Sequence, residues 1–547
     1  MDSIIFIQLK NSTGKEIKMS SRLAAKRRQN SYSSQVLITL SLIVMLFGQS
    51  VGVTAQSKPS SFILKADRFK HYVDYFNKME DENIVQAIPN AASWNWMKNN
   101  IPLFECPQQN FEEIFYFRWW TLRKHIKKTP AGFAFTEFLV NRSYADKYNL
   151  IACALGHHIN EGKWLHDQQY LDDYIKVWYR GNEGKPMKKL HGFSSWATDA
   201  IYNRYLVNSN KNYLVDMLPD LTNDYTTWEQ EKKLASGLFW QTDVKDGMEE
   251  TISGGRREKN ARPTINSYMY ANAMALSKMA ALKGDKTTQQ IFYKKADTLK
   301  QLIQQKLWNS TSSFFEVRKE ADTMANVKEA IGYIPWYFNL PDPGYEAAWT
   351  SLTNKNIFCA PFGITTADRS HPQFRTHGCC KCEWDGAVWP FATAQTLTAM
   401  ANLLNNYRQS VVADTNYFDL LETYVESQYY RGRPYIGEYL NEKTGYWLKG
   451  DEERSRYYNH STFNDLIITG LVGLRPGEGN TIEINPLLPA NKWDWFCLDN
   501  VLYHGKIITI IWDKTGLKYK KGKGFNVFSN GKKIAGAAGL TKVTGKI

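Results

Sequence analysis

The sequence predicts a mainly α-helical chain: a toroid of paired helices followed by a small β domain. Two observations predict it. From about residue 110 to 475, segments with apolar residues at three- and four-residue spacing follow one another, and after "GLVGLRP" at 470–476 the pattern changes to short β-branched runs punctuated by Gly, Asn-Gly and Pro. No fixed repeat recurs among the helical segments, which argues against a solenoid.

Taken in order, residues 1–55 form a predicted signal peptide. Basic "KRR" at 26–28 precedes the apolar run "VLITLSLIVMLFG" at 36–48 and then "VTAQ", with cleavage expected after Ala55. A spanning helix needs roughly 20 apolar residues, and this run is shorter. Residues 56–109 form a lead-in of no clear periodicity. Residues 110–475 carry the helices, among them "FEEIFYFRWWTLRKHI", "QQYLDDYIKVWYRG", "SSWATDAIYNRYLVN", "SYMYANAMALSKMAALKG" and "GAVWPFATAQTLTAMANLLNNY". Several begin at Ser, Thr or Asp and stop near Gly or Asn, as capping favours. Residues 476–547 hold "NTIEINPLLP", "FCLDNVLYHGKIITIIWDKTG" and "GFNVFSNGKKIAGA", which have the punctuation of strands and hairpins.

Composition narrows the function. The formal charge is +14, but residues 1–55 hold seven Lys/Arg and two Asp/Glu, leaving the remainder near +9. No basic cluster interleaved with aromatics lies on one helix face, so no nucleic-acid partner is expected. The 18 Trp and 31 Tyr are typical of a chain that stacks rings against flat apolar ligands or sugars, although much of that aromatic share is core. Export would leave the mature chain periplasmic or secreted, without stable membrane insertion; its oligomeric state is open.

Polar motifs gather in the loops between helices, where a rigid scaffold presents function. "DGMEETISGG" places Glu249 and Glu250 after Gly247, "CEWDGAVWPFA" places Trp384, Asp385 and Trp389 at a helix start, and "GEYLNEKTGYWLKG" contains Glu438. "FYFRWW" puts Arg118 beside Trp119 in an aromatic helix, where a buried cation needs a partner such as a pocket carboxylate or a substrate oxygen. "ALGHHINEGKWLHD" supplies His157 and His158, and Trp240 stands just ahead of the Glu249 loop.

These motifs resemble those of the inverting glycosidases that include trehalase, the family 63 processing α-glucosidases and mannosylglycerate hydrolase, all (α/α)6 barrels. "DGME" stands where that clan carries its general acid, "EWDGAVWP" matches its Trp-rich helix start, and "EYLNEKTG" keeps Glu438, Asn441, Thr444 and Gly445 at the spacing of its base motif. The resemblance implies an (α/α)6 barrel, with Glu249 as general acid and Glu438 as general base. It further implies substrate contacts from Arg118, Trp119, His157, His158, Trp240, Trp384, Asp385 and Trp389. Where the clan usually has Asp, this chain has Glu, so Glu250 and Asp246 stay in play as acids. The two catalytic carboxyls lie 189 residues apart, and only a closed ring of helices could bring them together.

Two other functions compete. One is an aromatic-lined helical toroid that binds carbohydrate without catalysis. The other rests on "HGCCKCEW", whose Cys379, Cys380 and Cys382 partly resemble the zinc site and Cys nucleophile of helical-barrel β-L-arabinofuranosidases. A second ligand pair at standard spacing is missing, so neither a metal nor a cofactor is expected.

Overall fold

The computed structural model describes residues 62–378 and 381–547. The predicted signal peptide lies outside these residues, as do Cys379 and Cys380. Twelve helices carry labels here: α1 Lys70–Lys78, α2 Asn90–Asn100, α3 Gln109–Lys124, α4 Leu155–Gly162, α5 Gln169–Arg180, α6 Ala197–Asn208, α7 Lys211–Lys232, α8 Pro263–Lys283, α9 Lys286–Lys306, α10 Ile334–Tyr337, α11 Pro390–Asn406 and α12 Asp414–Ser427.

Which faces are apolar decides the layer. α4 buries all eight of its residues, and α8 and α11 bury most of theirs, so they form an inner ring. α7 buries Leu214, Met217, Leu218, Leu221, Tyr225 and Trp228, and α9 buries Phe292, Ala296, Leu299 and Ile303. These are single stripes at three- and four-residue spacing, which place both helices outside. The inner helices touch in sequence, α4 on α6, α6 on α8, α8 on α10, α10 on α11, and α11 on a π-helical turn at Leu466–Leu471. Glu161 of α4 closes the circle. Its carboxylate accepts from the backbone N–H of Phe463, Asn464 and Asp465 at 2.9–3.3 Å, satisfying the open donors at the start of that last turn. The result is an (α/α)6 barrel.

Prolines open two inner helices, Pro263 on α8 and Pro390 on α11, where a missing N–H costs nothing and the fixed φ suits the first turn. Both starts lie beside the loops that carry the acidic motifs.

The C-terminal region is an antiparallel sheet of β1 Leu103–Glu105, β2 Trp495–Tyr503, β3 Lys506–Asp513, β4 Gly524–Ser529 and β5 Lys532–Ala537, in that spatial order. The edge strand β1 comes from the lead-in, with Leu103 opposite Asp499 and Glu105 opposite Cys497. Asp499 also takes the backbone N–H groups of Phe62, Ile63 and Leu64 at 3.1, 2.6 and 2.8 Å. The lead-in, which has no periodicity of its own, is therefore stitched into the last domain, while α1 and α2 pack on α3. Among the described residues no helix is long and apolar enough to cross a membrane.

Candidate active site

The Glu249 loop is held at both ends. Asp243 caps a 3₁₀ turn at Val244–Asp246 by accepting from Val244 N–H at 2.7 Å, and Gly247 leaves it at φ +75°. Met248 is fully buried and donates its N–H to the Asp243 carbonyl at 3.0 Å. Beyond the acids, Ile252 and Ser253 donate their N–H groups to Glu329 at 2.9 and 3.1 Å. The glycines that follow serve close approach: a Cβ on Gly254 would lie 2.6 Å from the Thr251 hydroxyl. The reversal of chain direction falls on Glu250, at φ +61°. Glu250 turns to Arg256 at 2.5 Å. Asp246 is buried against Arg262 at 2.8 Å and the Thr264 hydroxyl, which fixes it as an anchor at the start of α8.

Glu249 is left facing inward. It is part-exposed as a residue, yet its carboxyl is surrounded by protein, and that burial, with the nearby Glu438 charge adding to it, pushes it up to about 7.

Glu438 sits in a different environment. Its neighbour Leu440 exchanges both backbone hydrogen bonds with Val388, each 3.0 Å, which straps this segment beside the start of α11. Asn441 accepts from the N–H groups of Lys443 and Thr444, and Gly445 at φ +68° closes the turn. The Glu438 carboxylate is buried and ion-paired with Lys449 and Arg454, each at 3.2 Å. On its other oxygen lies the Cys382 thiol at 3.6 Å, itself 3.4 Å from Lys449 Nζ. Burial, then the Glu438 and Glu249 charges, push that thiol up to about 12, so in this setting it stays protonated and unaided is a poor nucleophile.

A third carboxyl, Glu137, escaped sequence reasoning. It follows the hairpin Ile126–Thr129 and Gly132–Phe135, accepts from Tyr458 Oη at 2.6 Å and Cys153 Sγ at 3.1 Å, and is fully enclosed. Burial, with the Glu438 and Glu249 charges, pushes it up to about 7. The only signal was a lone acid in the apolar stretch "FAFTEFLV".

The expected substrate contacts divide. Asp385 is buried, and its Oδ2 takes both the backbone N–H and the Nδ1 of His377 at 3.0 Å; its Oδ1 has no hydrogen-bond partner among the described residues. Neither ring nitrogen of His157 has a partner there, nor does Nδ1 of His460, and burial drives both rings well below the ordinary imidazole range, so both are neutral. These atoms are left with unused hydrogen-bonding capacity.

The other expected contacts lie in buried or already bonded surroundings. Arg118 spends its guanidinium on Tyr424 at 3.2 Å, Gln428 at 3.0 Å and the carbonyl and hydroxyl of Ser461 at 2.6 and 3.1 Å, so the expected carboxylate partner is replaced by neutral acceptors that tie α3 to α12. Trp119 is wholly buried. His158 bonds Tyr174 at 2.8 Å and the Asn459 carbonyl at 2.6 Å through its two nitrogens, leaving nothing for a ligand. The Trp240 ring has the Lys232 and Lys259 ammonium groups 3.8 and 4.9 Å from its centre. Trp384 and Trp389 stack on each other at 4.5 Å, and Trp389 stacks on Tyr439 at the same distance. Both tryptophans are buried; Trp389 Nε1 donates to the Glu383 carbonyl at 3.1 Å, and Trp384 Nε1 has no hydrogen-bond partner among the described residues.

Residues 147–461 match the mannosylglycerate hydrolase MGH1-like glycoside hydrolase domain, more than half of the chain. The chain belongs to the MGH1-like glycoside hydrolase family. The match takes in Glu249 and Glu438, and residues 474–535 match the C-terminal domain of glycosyl hydrolase family 65. The solved structure of a sialidase is 62% identical, with TM-score 0.88 over 90% of this chain and 46% of its own. The family 78 rhamnosidase of Bacillus sp. GL1 shares the fold at 13% identity and TM-score 0.53, covering 75% of this chain and 40% of its own. The family 63 mannosylglycerate hydrolase of Thermus thermophilus does so at 10% identity and TM-score 0.50, covering 65% of this chain and 100% of its own. An uncharacterized protein of Borreliella burgdorferi is 25% identical over 185 residues, 34% of this chain and 38% of that protein. The chain thus spans less than half the length of the sialidase and of the curated relative it matches.

Proposed function

We propose that this family member is an exported glycoside hydrolase that cleaves an oligo- or polysaccharide with inversion, Glu249 acting as general acid and Glu438 as general base. One observation carries this proposal: two carboxyls share a site but not an environment. Glu249 is pushed up to about 7 by burial and by the charge of Glu438, and so holds a proton to give to a leaving oxygen. Glu438 is paired with Lys449 and Arg454. Environments that separate two carboxyls in this way assign acid and base. In the step itself, Glu249 protonates the glycosidic oxygen as its bond to the anomeric carbon breaks. Glu438 takes a proton from the water that attacks the opposite face. On this reading the free oxygen of Asp385 and the neutral ring of His157 take hydroxyls of the sugar, which their lack of protein partners among the described residues supports. Export is supported by the basic and apolar order of residues 1–55, and the product is expected in the periplasm or outside the cell.

The test is a screen of chromogenic and natural glycans, with the first-formed anomer read by proton NMR. Inversion of the anomeric centre is expected. A product that retains it overturns the base role of Glu438, and saturable sugar binding without turnover on any substrate overturns the hydrolase assignment in favour of a carbohydrate-binding barrel.

A further inference from the structure

The barrel has a polar cavity of about 280 Å³ that neither Glu249 nor Glu438 lines. Its walls come from the later turns of helices whose first turns flank the active site. On α8 it meets Tyr270, Met274 and Lys278, which lie 7 to 15 residues beyond Pro263, and on α11 it meets Thr398 and Asn402. At 1.5 Å of rise per residue the α8 positions are roughly 10–22 Å down the barrel. The cavity is therefore at the opposite end, next to Arg475 and Pro476, where the chain passes into the β domain.

Its chemistry is that of a built site. Lys163 is buried and bridges Asp465 at 3.0 Å and Asn160 Oδ1 at 3.2 Å. Arg475 is held by Asn402 at 2.7 Å and the Thr469 carbonyl at 3.3 Å. Asp199 takes a hydrogen bond from Asn203 at 2.8 Å on one oxygen, and its other oxygen accepts from no group among the described residues. Lys278 holds its ammonium 5.2 Å from the Tyr202 ring, and Tyr202 and Tyr270 are both nearly buried aromatic walls. Three cations and two carboxylates line the space: Lys163 pairs with Asp465, Arg475 is held by neutral acceptors, and the Lys278 and Lys163 charges act on Asp199, so the opposed charges nearly balance, three against two. Paired acceptors and donors beside aromatic faces match a ring that carries hydroxyls on its rim and C–H groups on its faces. The volume far exceeds the ~30 Å³ share of one water and lies just below the ~300–1,000 Å³ of drug-sized pockets.

We infer that this cavity binds an uncharged, monosaccharide-sized sugar, with Asp199 and Asn203 holding adjacent hydroxyls and Tyr202 and Tyr270 packing its faces. The inference stands apart from the hydrolytic site and holds whether or not Glu438 is the base.

The experiment titrates the full chain with D-glucose, D-galactose, D-mannose and L-rhamnose, following binding by saturation-transfer NMR and calorimetry. Three variants are compared with the unaltered protein: Asp199→Asn, Met274→Trp, which fills the cavity from its wall, and Glu249→Gln, which alters only the other end. At least one sugar should bind saturably, and Met274→Trp and Asp199→Asn should each weaken it at least ~tenfold, about 1.4 kcal/mol. Glu249→Gln should leave that binding unchanged, and hydrolysis by the two cavity variants should stay at the unaltered rate. Should either cavity variant fail to fold, the other carries the test. Absence of saturable binding for all four sugars, binding that survives a folded cavity variant, or loss of binding in Glu249→Gln overturns the inference.

Discussion

Replacing Glu249 by Gln should raise stability and remove activity, each with its own pH dependence. Burial moves the carboxyl from 4.5 to about 7. At ~1.36 kcal/mol per pH unit of displacement, ionising Glu249 in place costs roughly 3 kcal/mol more than in the unfolded chain. The folded pKa is raised, so between about pH 4.5 and 7 the unfolded state binds fewer protons, and this group makes stability fall as pH rises through that window. The amide keeps the shape and cannot ionise. Urea unfolding of the two proteins should therefore coincide near pH 4 and diverge above pH 7, the variant being the more stable by up to roughly 3 kcal/mol. Turnover should move the opposite way. The natural enzyme needs the protonated acid, so its rate should be sustained below pH 7 and fall about tenfold per unit well above it, whereas the variant should lose ~10²–10⁴ in rate and lose that alkaline limb. Aryl glycosides with good leaving groups need less protonation and should suffer less. A stability difference independent of pH, or an alkaline limb that persists in the variant, would refute the assignment of Glu249 as the buried acid. If Glu250→Gln instead reproduces both effects, the acid lies one residue further along.

Glu438→Gln should abolish turnover on every substrate, activated ones included, because the amide cannot take the proton of the attacking water; retained circular dichroism would show that the fold survives, and near-normal rates would end its role as base. Glu137→Gln should leave substrate chemistry possible but shift the alkaline limb of Glu249 downward, since one of the neighbouring carboxyls is removed, and a pH–rate profile unchanged from the parent would show the two to be uncoupled. Arg118→Met should destabilise by about 2–4 kcal/mol in thermal unfolding, because Gln428 and the Ser461 carbonyl lose a charged donor in the interior, while KM on a soluble substrate stays within about twofold. A large rise in KM without a stability loss would instead return Arg118 to the pocket.

The helices of the barrel were legible because their apolar spacing is a local property of the chain, and the outer ones, with a single stripe, were the plainest. The loops that carry Glu249 and Glu438 stood out through their polar motifs. Other features depended on tertiary context. Arg118 in an apolar helix advertised a buried cation but not its partner, and neutral acceptors on α12 satisfy it as well as a substrate would. His158 and His157 are adjacent in sequence, yet one ring is fully bonded and the other is left without partners, because successive positions of a helix point about 100° apart and so meet different surroundings. Glu137 was hidden by its apolar neighbours, which made its segment resemble an ordinary strand end. The lead-in strand Leu103–Glu105 offered three residues of signal, and its register is set by β2, which lies almost 400 residues later.

That last pairing constrains how the molecule can be made. Synthesis runs from the N-terminus, so the chain carries Leu103–Glu105 as an unpaired edge until Cys497–Asp499 emerges, and α4 waits equally for Phe463–Asp465 before the circle can close. Contacts of such long sequence separation form late and slowly. Fragments cut at the apparent junction near residue 475 would therefore leave a sheet without its edge and a lead-in without its anchor. For this architecture the lead-in and the last domain fold together, and a C-terminal truncation that reaches Cys497–Asp499 should be felt at the lead-in strand and at Phe62–Leu64.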